Sequence, residues 1–126
     1  MLEQSKAFSS FAVDDIEKAK FFYQNLLGLI VNDNPMGLLE LKIPGVNDIL
    51  IYPKTNHEPA TFTILNFKVR NIDITVDKLV EKGITFEQYN NEYIKTNEKG
   101  ISRGSSGPNI AWFKDPAGNI LSIIEA

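Results

Sequence analysis

Cysteine is absent from this 126-residue chain, and histidine occurs once, at His57. The first absence excludes disulfides, thiolate zinc sites, iron–sulfur clusters and cysteine nucleophiles. The second excludes any site that needs two histidines from one chain, such as a two-His-one-carboxylate iron centre, a His₃ zinc site or an HExxH helix. A basic surplus is also missing: 13 Lys and Arg stand against 16 Asp and Glu, a net charge of −3. Nucleic-acid binders usually carry the opposite field, so no nucleic-acid partner is expected. No stretch approaches the ~20 apolar residues that a membrane span needs. The opening MLEQSKAFSS holds no apolar run of signal-peptide type, so a cytoplasmic protein with no membrane partner is expected.

What remains is 43% hydrophobic and 23% charged. That balance suits one folded domain over residues 1–126. Phe8 to Val13 reads as a strand. Asp14 with Glu17 forms an Asp version of a capping box, and Ile16, Ala19, Phe22, Tyr23, Leu26 and Leu27 follow at helical spacing to Gly28. Three β-like runs come next, at 29–32, 38–43 and 49–52. The plan then repeats. Residues 61–69 read as a strand, and Asn71 caps a helix carrying Ile72, Val76, Leu79 and Val80 that stops at Gly83. Strands at 84–88, 109–114 and 119–125 follow, the last two joined by the Asp115-Pro116-Ala117-Gly118 turn. The spacing predicts helices near 14–27 and 71–82.

Val13 and Val69 are 56 positions apart, as are Ile16 and Ile72, and Gly28 and Gly83 are 55 apart. First strand, helix face and helix terminator recur in phase, which points to an internal duplication. The two modules would span about 7–53 and 61–126.

VDDIEKAKFFYQNLLGL (13–29) resembles the opening of the vicinal oxygen chelate superfamily, the glyoxalase/bleomycin-resistance/extradiol-dioxygenase group. FKDPAGNILSIIE (113–125) resembles its closing strand-turn-strand. The resemblance implies an α+β fold of two βαβββ modules forming a curled mixed sheet, a homodimer, and a ligand or metal within the cup. In the metal-dependent branches a divalent ion is held by His, Glu or Gln. Carried over singly, those positions fall here at Phe8, at Leu50 or Ile51, at Ile64 and at Ser122. Three hydrocarbon side chains and one hydroxyl are not a divalent-cation set. No metal and no other cofactor is therefore expected, which fits the metal-free branch, whose bleomycin-resistance-like members bind and sequester a molecule without chemistry.

Strand alternation then sorts the faces. Phe8 and Ser10 would look into the cup, with Ile64, Asn66 and Lys68 from the second module and Ser122 from the last strand. Leu65, Phe67 and Val69 would pack on the helix. Such a wall, apolar with a few polar groups, suits a small molecule of unknown identity. Trp112 is either an aromatic wall or ordinary core. Arg103, in the Gly- and Ser-rich stretch 98–109, would contact an acidic ligand group from a lid. Glu40 is a weak general-base candidate if it faces the cup, and otherwise an exposed edge-strand carboxylate. His57 reads as a loop residue. The leading function is a metal-free small-molecule-binding protein that sequesters a toxin or antibiotic. The alternatives are a diverged glyoxalase-like lyase, isomerase or dioxygenase-like enzyme with a non-standard site, and a structural or regulatory dimerisation module.

Overall fold

Two helix starts set the frame. Asp15 and Asn71 hold nearly identical extended backbone, φ −134 and ψ 107 against φ −135 and ψ 105. Each side chain accepts the backbone N–H three residues on, from Lys18 at 3.0 Å and from Ile74 at 3.0 Å. These bonds satisfy one of the donors that a helix start leaves over. The cap of the first helix is thus Asp15, not Asp14, and the two caps are 56 residues apart like the valines before them.

The computed structural model describes residues 1–104 and 107–126. The chain divides into two compact units, 1–58 and 59–126. The first contains β1 (Ser10–Val13), α1 (Ile16–Phe21), β2 (Ile30–Asp33), β3 (Leu39–Lys42) and β4 (Ile49–Pro53). The second contains β5 (Thr63–Val69), α2 (Ile72–Glu81), β6 (Ile101–Ser102), β7 (Ile110–Lys114) and β8 (Ile120–Glu125). The sheets share one topology, β1-β4-β3-β2 and β5-β8-β7-β6. In each, the first strand runs parallel to the last and the remaining pairs are antiparallel. The fold is α+β, two βαβββ modules built on mixed sheets.

In the first unit, α1 passes into a π-helical turn over Phe22–Leu26. Leu27 N–H reaches Phe22 O at 3.0 Å, a bond five residues back. The wider turn lets the consecutive Phe22 and Tyr23 both point inward, where their rings meet edge-on at 5.0 Å. Phe11 joins them at 5.8 Å from Tyr23, which identifies its side of the sheet as the helix side. Val13, Ile51, Leu39, Leu41, Ile49 and Val31 complete this buried face. Each such side chain contributes ~1.5–3 kcal/mol when fully buried.

In the second unit, Glu125 marks the helix side. Its Oε2 accepts Ile72 N–H at 2.9 Å at the start of α2, and its Oε1 accepts Asn109 Nδ2 at 2.8 Å. The Ile72 hydrogen bond, with that of Asn109 second, holds this carboxyl below its ordinary range. Ile123, Leu121, Ala111 and Phe113 alternate with it in the sheet and are buried. Leu65 pairs with Leu121 and Phe67 with Ile123, so both lie on the helix side, although Phe67 is half-buried.

The second sheet departs from the expected strands in two places. Thr63 pairs with Ile120 and Leu65 with Leu121, so Ile64 is an extra residue at a bulge. The expected strand 84–88 makes only a bridge from Phe86 to Phe113 and a bond from Glu87 N–H to Trp112 O at 2.8 Å. The chain then leaves the sheet and returns as β6, beside Ile110 and Ala111 of the same strand. The edge of β7 is therefore covered in two pieces, with residues 88–100 looped out between them. Gly100 closes that loop at φ +82, where an added Cβ would stand 2.9 Å from both Glu87 O and Phe86 Cβ.

Candidate ligand-binding site

Two of the candidate groups meet in the second unit, on the sheet face opposite the helix. Asn66 of β5, Ser122 of β8 and Trp112 of β7 form one cross-strand row. The Ser122 hydroxyl donates to Asn66 Oδ1, and Ser122 is fully buried. Trp112 is half-buried, while its neighbour Phe113 points the other way into the helix-side core. One row along, Lys68 pairs with Ile124, which pairs with Ile110. Lys68 is exposed, and among the described residues it has no ion-pair partner. A polar pair flanked by Ile124 and Ile110 on one side and by Ile120 on the other can orient a ligand without supplying a reaction.

Tyr89 is a member of this group that periodicity does not reveal. Its ring meets Trp112 edge-on at 5.5 Å. Its backbone is clamped by Thr96: Tyr89 N–H donates to Thr96 Oγ1 at 2.9 Å, and Thr96 N–H donates to Tyr89 O at 2.9 Å. Burial, with the nearby Glu87 charge second, raises the Tyr89 phenol above its ordinary value. Glu87 also faces Lys114 at 3.6 Å. The looping out of 88–100 places Tyr89 here, and that excursion is a tertiary event.

In the first unit the equivalent row is Ser10, Leu50 and Glu40. Glu40 thus stands where Trp112 stands in the second unit. It lies on β3, between β4 and β2, so it is not on an edge strand. Its Oε2 accepts Asn34 Nδ2 at 2.9 Å, and Lys42 Nζ stands 3.8 Å from its Oε1. Lys42 is chiefly bound to Asp48, whose hydrogen bond raises the lysine above its ordinary value. Lys6, Phe8, Glu40, Asn47, Asp48 and Leu50 line a cavity of about 300 Å³. Phe8 precedes β1 and is 64% exposed. Leu50, not Ile51, belongs to this face, because Ile51 is fully buried on the helix side.

Three expectations are corrected. Ile64 does not hold a regular inward position, because the bulge interrupts the alternation that placed it there. Arg103 is not aimed at the face opposite the helix. Its guanidinium pairs with Asp73 in the first turn of α2. Lys99 joins that pair, 3.4 Å from Asp73 and 2.9 Å from Asp77. Arg103, followed by Lys99, lowers the Asp73 carboxyl below its ordinary range. Nor is 98–109 a simple lid: Ile101 and Ser102 belong to the sheet, and Asn109 is tied to Glu125. Ser105 and Ser106 lie outside the described residues. His57 sits in the turn after β4, its N–H bonded to Lys54 O at 3.2 Å.

The closing turn is held by Asp115, which accepts the N–H groups of Ala117 and Asn119, each at 2.9 Å, on one carboxylate oxygen. A family model described as the Glyoxalase/Bleomycin resistance protein/Dioxygenase superfamily matches residues 7–123. The chain belongs to that superfamily. Among solved structures it is similar to a superfamily member from Sphaerobacter thermophilus, with 24% identity, full coverage of both chains and a TM-score of 0.73. It is also similar to TnmS3, an antibiotic binding protein from Streptomyces sp. CB03234, with 22% identity, 99% and 98% coverage and a TM-score of 0.68. The fosfomycin resistance protein FosX from Listeria monocytogenes aligns at 13% identity over 98% of this chain and 93% of its own, with a TM-score of 0.73. At these identities the likeness concerns the fold alone. A search of curated proteins returns no match.

The superfamily includes metal-dependent branches, so the fit of a divalent ion follows from the donors present. Phe8, Leu50 and Ile64 offer no donor atom, and the Ser122 hydroxyl is committed to Asn66. Among the described residues no three His, Cys, Asp or Glu side chains gather as a metal site. The four positions do not fit the ion. Among the described residues no helix is long and apolar enough to cross a membrane.

Proposed function

We propose that this protein binds a small molecule without a divalent metal and without converting it, and so sequesters a toxic compound such as an antibiotic. The observation that carries this reading is the Asn66–Ser122 pair. At the last-strand position where metal-dependent relatives place a ligand, this chain has a buried hydroxyl that orients an amide. The amide keeps its two N–H donors for a guest. Ile110, Ile120 and Ile124 in the rows beside it supply apolar contact. The similarity to a fold used by an antibiotic binding protein supports the same reading.

Mass spectrometry of small molecules released from the purified, denatured protein tests it. A compound returned unchanged after prolonged incubation with fresh protein is the expected result. Steady conversion of that compound to a product overturns it. One observation favours a second reading, a diverged lyase or isomerase: Glu40 lines a cavity with Lys42 beside it, an arrangement suited to proton transfer. In that case Glu40→Gln abolishes the conversion.

We further propose a homodimer. Sedimentation equilibrium at micromolar concentration is expected to give twice the 14.2 kDa chain mass. A monomer there overturns it.

A further inference from the structure

Trp112 and Tyr89 form an aromatic corner beside the Asn66–Ser122 pair, and this corner is held by bonds that no ligand supplies. Thr96 fixes the Tyr89 backbone from both sides. Gln88 Nε2 bonds Glu98 O at 2.9 Å across the neck of the loop. Asn97 Oδ1 accepts both Lys99 N–H at 2.9 Å and Ile101 N–H at 3.0 Å, which fixes the return to the sheet. Lys99 then anchors the loop to Asp73 and Asp77 on α2. A binding wall whose backbone is fixed beforehand loses less entropy when a guest arrives.

The chemistry of the row specifies the guest. Tyr89 meets Trp112 at an interplanar angle of 77°, and Trp112 is only half-buried, so part of the indole stays open to a planar ring. Asn66 lies two strands away, about 10 Å at ordinary strand spacing. Lys68 lies two residues further along β5, about 7 Å from Asn66. Among the described residues Lys68 has no ion pair, whereas Lys114 on the same face stands 3.6 Å from Glu87. A flat ring system on Trp112 would thus direct an anionic end toward Lys68.

Resting on the binding reading above, we infer that Tyr89 determines specificity. With Trp112 it selects planar aromatic anions over flexible aliphatic ones of equal charge. Stacking rewards a rigid flat surface, whereas an alkyl chain gains only area.

The test uses two carboxylates, 2-naphthoate and octanoate, titrated into the full chain by calorimetry. The indole N–H resonance of Trp112, the sole tryptophan, reports where they bind. The expected result is tighter binding of 2-naphthoate, with a shift of that resonance. Tyr89→Ala should reduce the preference for 2-naphthoate by about three- to tenfold, the value of one aromatic pair. Tyr89→Phe, which keeps the ring, should retain it. Urea unfolding of each variant runs alongside, and Tyr89→Leu replaces Tyr89→Ala if the latter does not fold. Octanoate bound as tightly as 2-naphthoate, or a preference that survives Tyr89→Ala, overturns the inference and leaves the binding reading standing. An unmoved Trp112 resonance with both carboxylates also overturns it. The released-compound experiment then decides the binding reading independently.

Discussion

Ser122 donates its hydroxyl proton to Asn66 across the parallel pair β8 and β5, and both residues occupy the row that continues to Trp112. A buried hydroxyl must find a partner, and a neighbouring amide oxygen satisfies it without drawing a cation. Ser122→Ala should therefore cost about 1 kcal/mol, read from the urea midpoint, the ordinary net value of one hydrogen bond. It should also release the Asn66 amide, seen as a changed side-chain resonance. An unchanged amide resonance would refute the pairing.

The donor inventory leads to a prediction about metals. Elemental analysis of protein purified without chelators should find less than stoichiometric Zn, Mn, Ni and Fe. One tightly held ion per chain would overturn the argument from Phe8, Leu50, Ile64 and Ser122.

The two sides of β5 should respond differently to truncation. Lys68→Ala, on the exposed side, should change stability by less than ~0.5 kcal/mol. Phe67→Ala should cost about 2–3 kcal/mol, below the roughly 3–5 kcal/mol of a fully buried phenylalanine, because this one is half-buried. Equal effects in urea melts would contradict the assignment of faces.

Gly100 should tolerate no side chain. A left-handed backbone disfavours any L-residue, and the new Cβ would collide with backbone at Glu87 and with Phe86. Gly100→Ala should destabilise by roughly 2–5 kcal/mol, the sum of the two effects. Gly28→Ala, with open space around it, should lose only the conformational part.

Glu125 makes stability depend on acid. Its folded carboxyl lies below the ordinary 4.5, through the Ile72 N–H and then Asn109. A group lowered on folding contributes stability that is fully present above its unfolded value and is lost as pH falls through the folded one. Glu125→Gln should therefore flatten the decline in urea midpoint below about pH 4.5. A variant whose decline parallels the parent would remove Glu125 from the account.

The duplicated plan was legible in the sequence because its signals are local. A capping side chain, an apolar helical face and a terminal glycine act within a few residues, so Asn71, Ile16 and Ile72, and Gly28 and Gly83 report their roles by spacing alone. The closing Asp115 turn is equally local. Parity also separated Phe67 from Asn66, because strand alternation depends only on an unbroken ladder. Where a partner strand decides, that reading stops. The bulge at Ile64 exists because β8 advances one residue while β5 advances two. Asp15 rather than Asp14 caps α1 through the backbone angles it adopts, and both are acids that cap well. Tyr89 reaches Trp112, and Arg103 reaches Asp73, only because residues 88–100 leave the edge of β7 and return to it. Contacts between segments so far apart in the chain follow from where the loop lands, and neither composition nor period carries that information.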